Sequence, residues 1–298
     1  MMMELKRFKS RLENAKYAYG TIKRKVSVLT SYKAYLDENG LEPCIKSLDT
    51  WADELFGLLE DGSVNSYVYD VLGYFDLMMM PQDEKLVELL KKRLPSVVVD
   101  EDPDFLDFDE WDAIMADVRK NEPIHHYLIF NLLYEFTRRP GEVVQTPAYD
   151  GLKWEDIDFD NNSITFRILK KGKRVKATFK LPDYLKEELL EYRQSLLPSR
   201  RRGPVFKVKI RAVEYAFERC LKRAKIKTKG RKLSLKIFRH TRITHSGALG
   251  IPIEVVSKHM ARHSRIETTM KHYRGMMKRE IEEIPTVKDI MERRKALS

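Results

Sequence analysis

Residues 236–273 read KIFRHTRITHSGALGIPIEVVSKHMARHSRIETTMKHY, and the fold and the chemistry both follow from this stretch. Lys236 and Arg239 stand three residues apart, so in a helix they share a face one turn apart. A Pro-started helix follows at Pro252, then Ala-Arg262-His263-Ser, and then Thr268-Thr-Met-Lys-His-Tyr273. Two cations, a histidine and a tyrosine in this order suit attack on a phosphodiester. Tyr273 is the only tyrosine after Tyr215, so a phenolic nucleophile in this segment has no competitor.

This arrangement resembles the active site of the tyrosine recombinase, or phage-type integrase, family, whose members cut and rejoin DNA through a phosphotyrosine. The resemblance rests on Lys236-Ile-Phe-Arg239 with His240-Thr241 behind it, on Arg262-His263-Ser264, and on Thr268-Thr269 before Tyr273. Three departures stand out. Lys236 occupies a position where His is usual, as in some members including archaeal ones; Arg262 replaces the usual Gly; and the interval from His263 to Tyr273 is one residue longer than typical.

Working upstream, Ile124 to Phe136 is an apolar helix that runs into Thr137-Arg138-Arg139-Pro140-Gly141-Glu142. An arginine at a tight Pro-Gly turn can aim its planar fork at a phosphate, with Glu142 bracing it from behind. The family's first box has the form Arg-x-x-Glu, so the resemblance assigns Arg139 to the scissile phosphate and Glu142 to its support, with Arg138 as the alternative offset by one. Ile164, Phe166 and Ile168 alternate with Thr165 and Arg167, and a second strand follows Gly172, which predicts a hairpin. Its tip carries Lys170, Lys171, Lys173 and Arg174. The family places its catalytic lysine on such a hairpin; Lys170 is the match, and Lys171 is the close second.

Residues 1–97 read as helices. The stripe Ile22, Val26, Leu29, Tyr32 and Leu36 recurs at helical steps after Thr21, which can cap the helix, and Gly40 ends it; Lys23 and Arg24 lie off the stripe. Ser63 starts a further helix with Val64, Val68, Leu72, Phe75 and Met79 on its buried face. By resemblance, this part is a small core-binding domain that clamps the DNA. Residues 98–108, rich in Asp, form an acidic linker, and 109–298 form the catalytic domain with a C-terminal tail over 276–298. The predicted fold is therefore mainly α with a small antiparallel β-sheet, an α+β integrase-type catalytic domain preceded by a helical one.

The chain has a formal net charge of +11 over 298 residues, which predicts attraction to a polyanion. A basic run from Arg200 through Arg201 to Lys232 continues that surface toward the phosphate-chemistry segment, and its scarcity of aromatics argues for duplex tracking over single-strand stacking. Two distant cysteines, Cys44 and Cys220, lie outside any metal-ligand spacing and suggest neither a disulfide framework nor a zinc site. No apolar run spans a bilayer, and the start Met-Met-Met-Glu-Leu-Lys lacks a signal-like core, so a cytoplasmic protein is expected.

The chemistry needs no cofactor. A phenol ionises near pH 10, so the attacking Tyr273 needs cations that favour phenolate and stabilise charge growing at phosphorus. The resemblance implies that Arg139 and Arg239 hold the nonbridging oxygens, Lys170 protonates the departing 5′ oxygen, and Lys236 and His263 complete the shell. Bond energy stays in the phosphotyrosine, so neither ATP nor metal is required. Neither a P-loop nor a two-metal acidic cluster occurs in the sequence. The implied partner is duplex DNA at a specific site, engaged by a homotetramer. Competing readings are a binding protein that kept the fold and lost the chemistry, and a type IB topoisomerase-like enzyme; covalent capture of DNA separates the first, and dependence on one short site the second.

Overall fold

The computed structural model describes residues 3–96, 103–169, 175–263 and 265–272. The chain divides into two compact units, 1–100 and 101–298, and each is built round its own core.

The first unit consists of helices α1 (Leu5–Asn14), α2 (Tyr19–Asn39), α3 (Ile45–Leu55), α4 (Asp61–Met78) and α5 (Glu84–Arg93). Helix α2 buries Ile22, Leu29, Tyr32 and Leu36, and Gly40 closes it in the left-handed conformation at φ 62°. It begins at Tyr19, so Thr21 lies inside its first turn and does not cap it. Helix α4 likewise starts two residues before Ser63 and buries Val64, Val68, Leu72 and Phe75. Met79, read from the sequence as part of that face, is the left-handed C-cap and is exposed, because the helix ends one residue too soon to turn it inward. Tyr32 and Trp51 form the aromatic centre of this unit, with ring centroids 5.0 Å apart.

The second unit opens with α6 (Phe108–Asn121) and α7 (Ile124–Glu135). The Asp107 carboxylate accepts the Glu110 N–H at 2.8 Å, and Glu110 in turn accepts the Asp107 N–H at 3.1 Å. The last acidic residue before this helix is therefore its cap. Helix α7 buries His126, Asn131 and five apolar side chains, as expected of a helix surrounded by other elements. A short helix, α8 (Pro140–Val143), follows, and then a three-stranded antiparallel sheet of order β1-β2-β3, with β1 Ile157–Asp158, β2 Ser163–Arg167 and β3 Lys176–Lys180. Ile164 and Phe166 of β2 face the core, while Thr165 and Thr178 share a hydroxyl hydrogen bond of 2.9 Å on the exposed face. Helices α9 (Asp183–Ser195), α10 (Ile210–Arg223) and α11 (Ile237–Ala248) complete the layer around α7. Beyond them, α12 (Ile253–Val255) passes directly into a π-helical turn, Val256–Ala261, and residues 267–272 are again helical.

The basic run of the sequence is partly committed to this packing. Arg219 and Arg223 on α10 pair with Glu122, Arg223 also with Asp117, and Arg231 with Glu110, all carboxylates of α6 or its end. Arg201 donates to the carbonyls of Leu196 at 2.9 Å and Gln194 at 2.8 Å, satisfying the C-terminal end of α9. The other exposed cations of this part of the run are mainly lysines, among them Lys207, Lys209, Lys222, Lys225, Lys227 and Lys229.

Candidate active site

The end of α7 sets the geometry. After Phe136 the backbone turns through Thr137, a buried residue at φ 51°, where a β-branched side chain is strained. That turn sends two consecutive arginines in different directions. Arg138 goes inward: it is 1% exposed, and it donates to the carbonyls of Phe136 at 2.5 Å and Met260 at 2.6 Å while its guanidinium lies over the Phe179 ring at 4.8 Å. Arg139 lines a cavity, with a side chain 34% exposed. Glu142, fully buried, accepts from the Arg139 guanidinium and from its backbone N–H, each at 3.2 Å. Of the two candidates for a phosphate-facing arginine, Arg139 is the one that meets open space.

Helix α11 supplies the opposite wall. Lys236 is its N-cap and Arg239 lies in its first turn. Arg239 is 5% exposed; it donates to the carbonyl of Thr137 and, at 2.6 Å, to that of Ala261. The π-helical turn ends at Ala261, so the carbonyls of Met260 and Ala261 lack intrahelical partners and accept from these side chains. Each arginine thus satisfies backbone groups that a regular helix end would leave without partners.

Arg262 follows at φ 52°, in the left-handed region that glycine adopts without strain. This accounts for the Gly usual at that position. The Arg in its place puts a further cation at the cavity wall. His263 is fixed by a 2.9 Å contact between its Nδ1 and the Thr269 hydroxyl. His272 is buried, its ring 4.8 Å from that of His240 and stacked at 6.2 Å on that of His263.

Arg139, Lys236, Arg239, Arg262 and His263 thus converge with His240, Thr268 and His272 on one cavity of about 460 Å³. Among the described residues, no carboxylate lines it. Burial, with Arg139 and Arg138 nearby, pushes the Arg239 guanidinium down to about 9, still charged at neutral pH. Burial pushes the His272 imidazole down to about 3 and lowers His240 as well, so both are neutral there. The site concentrates positive charge in a partly desolvated recess, and a bound anion relieves the repulsion.

Other expected residues fall elsewhere. Lys170, Lys171, Lys173, Arg174 and Tyr273 lie outside the described residues; Ile168, just before that lysine cluster, lines the cavity. Lys23 and Arg24 belong to α2 in the first unit, and Arg201 and Lys232 lie in the second unit away from the cavity lining. His245 bridges the Tyr134 hydroxyl at 2.8 Å and the Leu106 carbonyl at 2.9 Å and so has a structural place in the core. His240 lines the cavity. His272 was not singled out in sequence, although its place directly before Tyr273 was a signal.

The family model for phage integrases matches residues 104–279, more than half of the chain. Three solved structures have the same fold. XerH site-specific recombinase bound to palindromic difH substrate is 16% identical, with a TM-score of 0.68 over 93% of this chain and 82% of that one. A lambda integrase dimer bound to a COC′ core site is 16% identical, with a TM-score of 0.67 over 90% of this chain and 93% of that one. The Tn1549 transposon integrase in complex with a circular intermediate DNA is 12% identical, with a TM-score of 0.64 over the full length of both chains. No curated protein matches the sequence. The matched segment contains every residue of the cationic cavity, and the chain belongs to the phage integrase family, the tyrosine recombinases.

Proposed function

We propose that the protein is a site-specific DNA recombinase that cleaves and rejoins duplex DNA through a 3′-phosphotyrosyl intermediate. The observation that carries this reading is the cavity lined, among the described residues, by four cations and no carboxylate. Such a recess matches a phosphodiester, and it matches still better the extra negative charge that develops at phosphorus during attack. Arg139, braced by Glu142, and Arg239, braced by backbone carbonyls, present planar forks to the two nonbridging oxygens. Lys236 and His263 add a cation and a hydrogen-bonding imidazole at the rim.

The Tyr273 phenolate attacks phosphorus, and the bond to the 5′ oxygen breaks as Lys170 donates a proton to it. A 5′ hydroxyl from a second strand then attacks the phosphotyrosine, releases the phenol and restores a phosphodiester in the new pairing. One bond is made for each bond broken, so the cycle requires no nucleotide and no metal. The first unit acts as the core-binding domain on the same duplex, the basic hairpin tip and exposed lysines contact phosphates, and four copies synapse two sites in the cytoplasm.

The test is a metal-free incubation with labelled DNA from the element that encodes the protein, quenched in denaturant. A covalent protein–DNA band is expected for the wild type and none for Tyr273→Phe, whose DNA affinity stays nearly unchanged because no charge is lost. A Tyr273→Phe variant that still cuts would overturn the nucleophile assignment. Tight binding without any band in the wild type would favour a binding protein of the same fold.

A further inference from the structure

The first unit contains a polar cluster that its core does not explain. Asp70 of α4 is buried, its side chain 3% exposed, yet it faces two cations from α2: Lys25 Nζ at 2.7 Å and Arg24 Nη2 at 2.9 Å, both on Oδ1. Its second oxygen, Oδ2, is buried without a hydrogen-bond partner among the described residues. Arg24 also donates from Nη1 to the Ser66 hydroxyl, one turn before Asp70 on α4. The guanidinium is therefore held at two points, while 48% of the side chain stays exposed.

Two of its five N–H groups are engaged in this way, and three remain, enough for one bidentate contact. One turn to either side of it, α2 exposes Gly20 and Ser27, small and uncharged, so a flat partner can approach closely. From Tyr19 to Leu36 that helix contains Lys23, Arg24, Lys25 and Lys33 and no acidic residue.

On an exposed helix, a contact that only neutralises backbone phosphates does not need such a mount, unlike the Arg139 fork, which Glu142 orients toward a reacting phosphate in a recess. A carboxylate beside the arginine reduces the net positive charge offered to a phosphate, and a mobile surface arginine or lysine serves that purpose without it. Fixing the plane of the fork matters when the partner is itself planar and offers two acceptors in one plane. In duplex DNA that partner is guanine, with O6 and N7 in the major groove. We propose that Arg24, positioned by Asp70 and Ser66, reads a guanine in the recombination site. This rests on the recombinase reading above, and it makes Arg24 a specificity-determining residue and Asp70 its positioning residue.

The test is selection from a duplex library of random base pairs by the full-length chain in a Tyr273→Phe background, which binds without cutting. The parent is expected to enrich a motif with a strongly preferred guanine. Arg24→Lys keeps the charge and removes the fork, so preference at that one position should fall about 10-fold while the rest of the motif and the salt dependence persist. Asp70→Asn, folded by thermal melting, should flatten the same position. A purely structural Asp70 would lower the melting temperature and leave the motif intact; that result would overturn its positioning role. An unchanged motif in Arg24→Lys would overturn the guanine contact itself while leaving the recombinase reading standing. Enrichment of no duplex by the parent would overturn that reading and this proposal together.

Discussion

Arg138 and Arg139 are adjacent in sequence and opposite in consequence. Arg138 is a packing residue whose donors satisfy carbonyls across the core, so Arg138→Lys should cost about 2 kcal/mol of stability by leaving buried acceptors without partners. Arg139→Lys should leave the free energy of unfolding within about 0.5 kcal/mol of wild type and lower DNA cleavage at least about 100-fold, since it faces the cavity and the fork is lost. Paired urea unfolding and cleavage assays separate the two. Arg239 combines both characters: Arg239→Ala should abolish cleavage and also lower stability by about 3 kcal/mol, because the carbonyls of Thr137 and Ala261 lose their donor. At Arg262 the backbone and the charge pull in opposite directions. Arg262→Gly should stabilise the fold by up to about 1 kcal/mol through relief of the left-handed strain, and weaken anion binding in the cavity through loss of a cation; calorimetry and phosphate titration report the two effects separately.

Among the elements, α10 shows how a basic stretch can be mistaken for a free surface. Its arginines anchor the helix to α6 through Glu122, whose carboxyl is held down to about 2 by hydrogen bonds from Arg219 and Arg223 that outweigh its burial. Because the folded value lies below the ordinary carboxylate range, this interaction is fully present above pH about 4.5 and is lost as pH falls toward 2. Glu122→Gln should therefore destabilise the protein by about 2 kcal/mol at pH 7, a figure that allows for the half-exposed arginines, and the gap from wild type should narrow at pH about 3. Urea unfolding at the two pH values checks this, and a gap independent of pH would contradict it. The π-helical turn was not legible in sequence. Nothing in Val256-Ser-Lys-His-Met-Ala261 marks a widened helix, or shows that Arg138, Thr137 and Arg239, more than a hundred residues away or on another helix, donate to the carbonyls at its end.

At the scale of the molecule, the two units have separate cores, one centred on Tyr32, Trp51 and Phe75 and the other on α7 with Phe130 and Phe238. A fragment spanning 101–298 should therefore melt in one cooperative transition and retain the cationic cavity. It should bind duplex DNA at least about 10-fold more weakly than the full chain, with little sequence preference, if the first unit supplies a second set of contacts. Circular dichroism melting and gel-shift titration of the fragment test this. A fragment with undiminished site preference would remove the core-binding role from the first unit.

Much of this organisation was written in local pattern. The alternating strand from Ile164 to Ile168 and the Gly40 stop are signals with a range of a few residues that backbone sterics and periodicity suffice to read, while the Lys-x-x-Arg and Arg-x-x-Glu boxes, equally short, were read through family resemblance. Those same signals could not say which of two neighbouring arginines turns outward, which cations of a long basic run are paired, or that His240 and His272 meet at one wall. These outcomes depend on contacts between residues far apart in the chain: a strained Thr137, carboxylates on α6, and carbonyls at the end of a π-turn. The order of the residue types determined the chemistry the chain can offer, and tertiary packing decided which side chains are placed to offer it, because only packing sets where charge is desolvated and where space is left open.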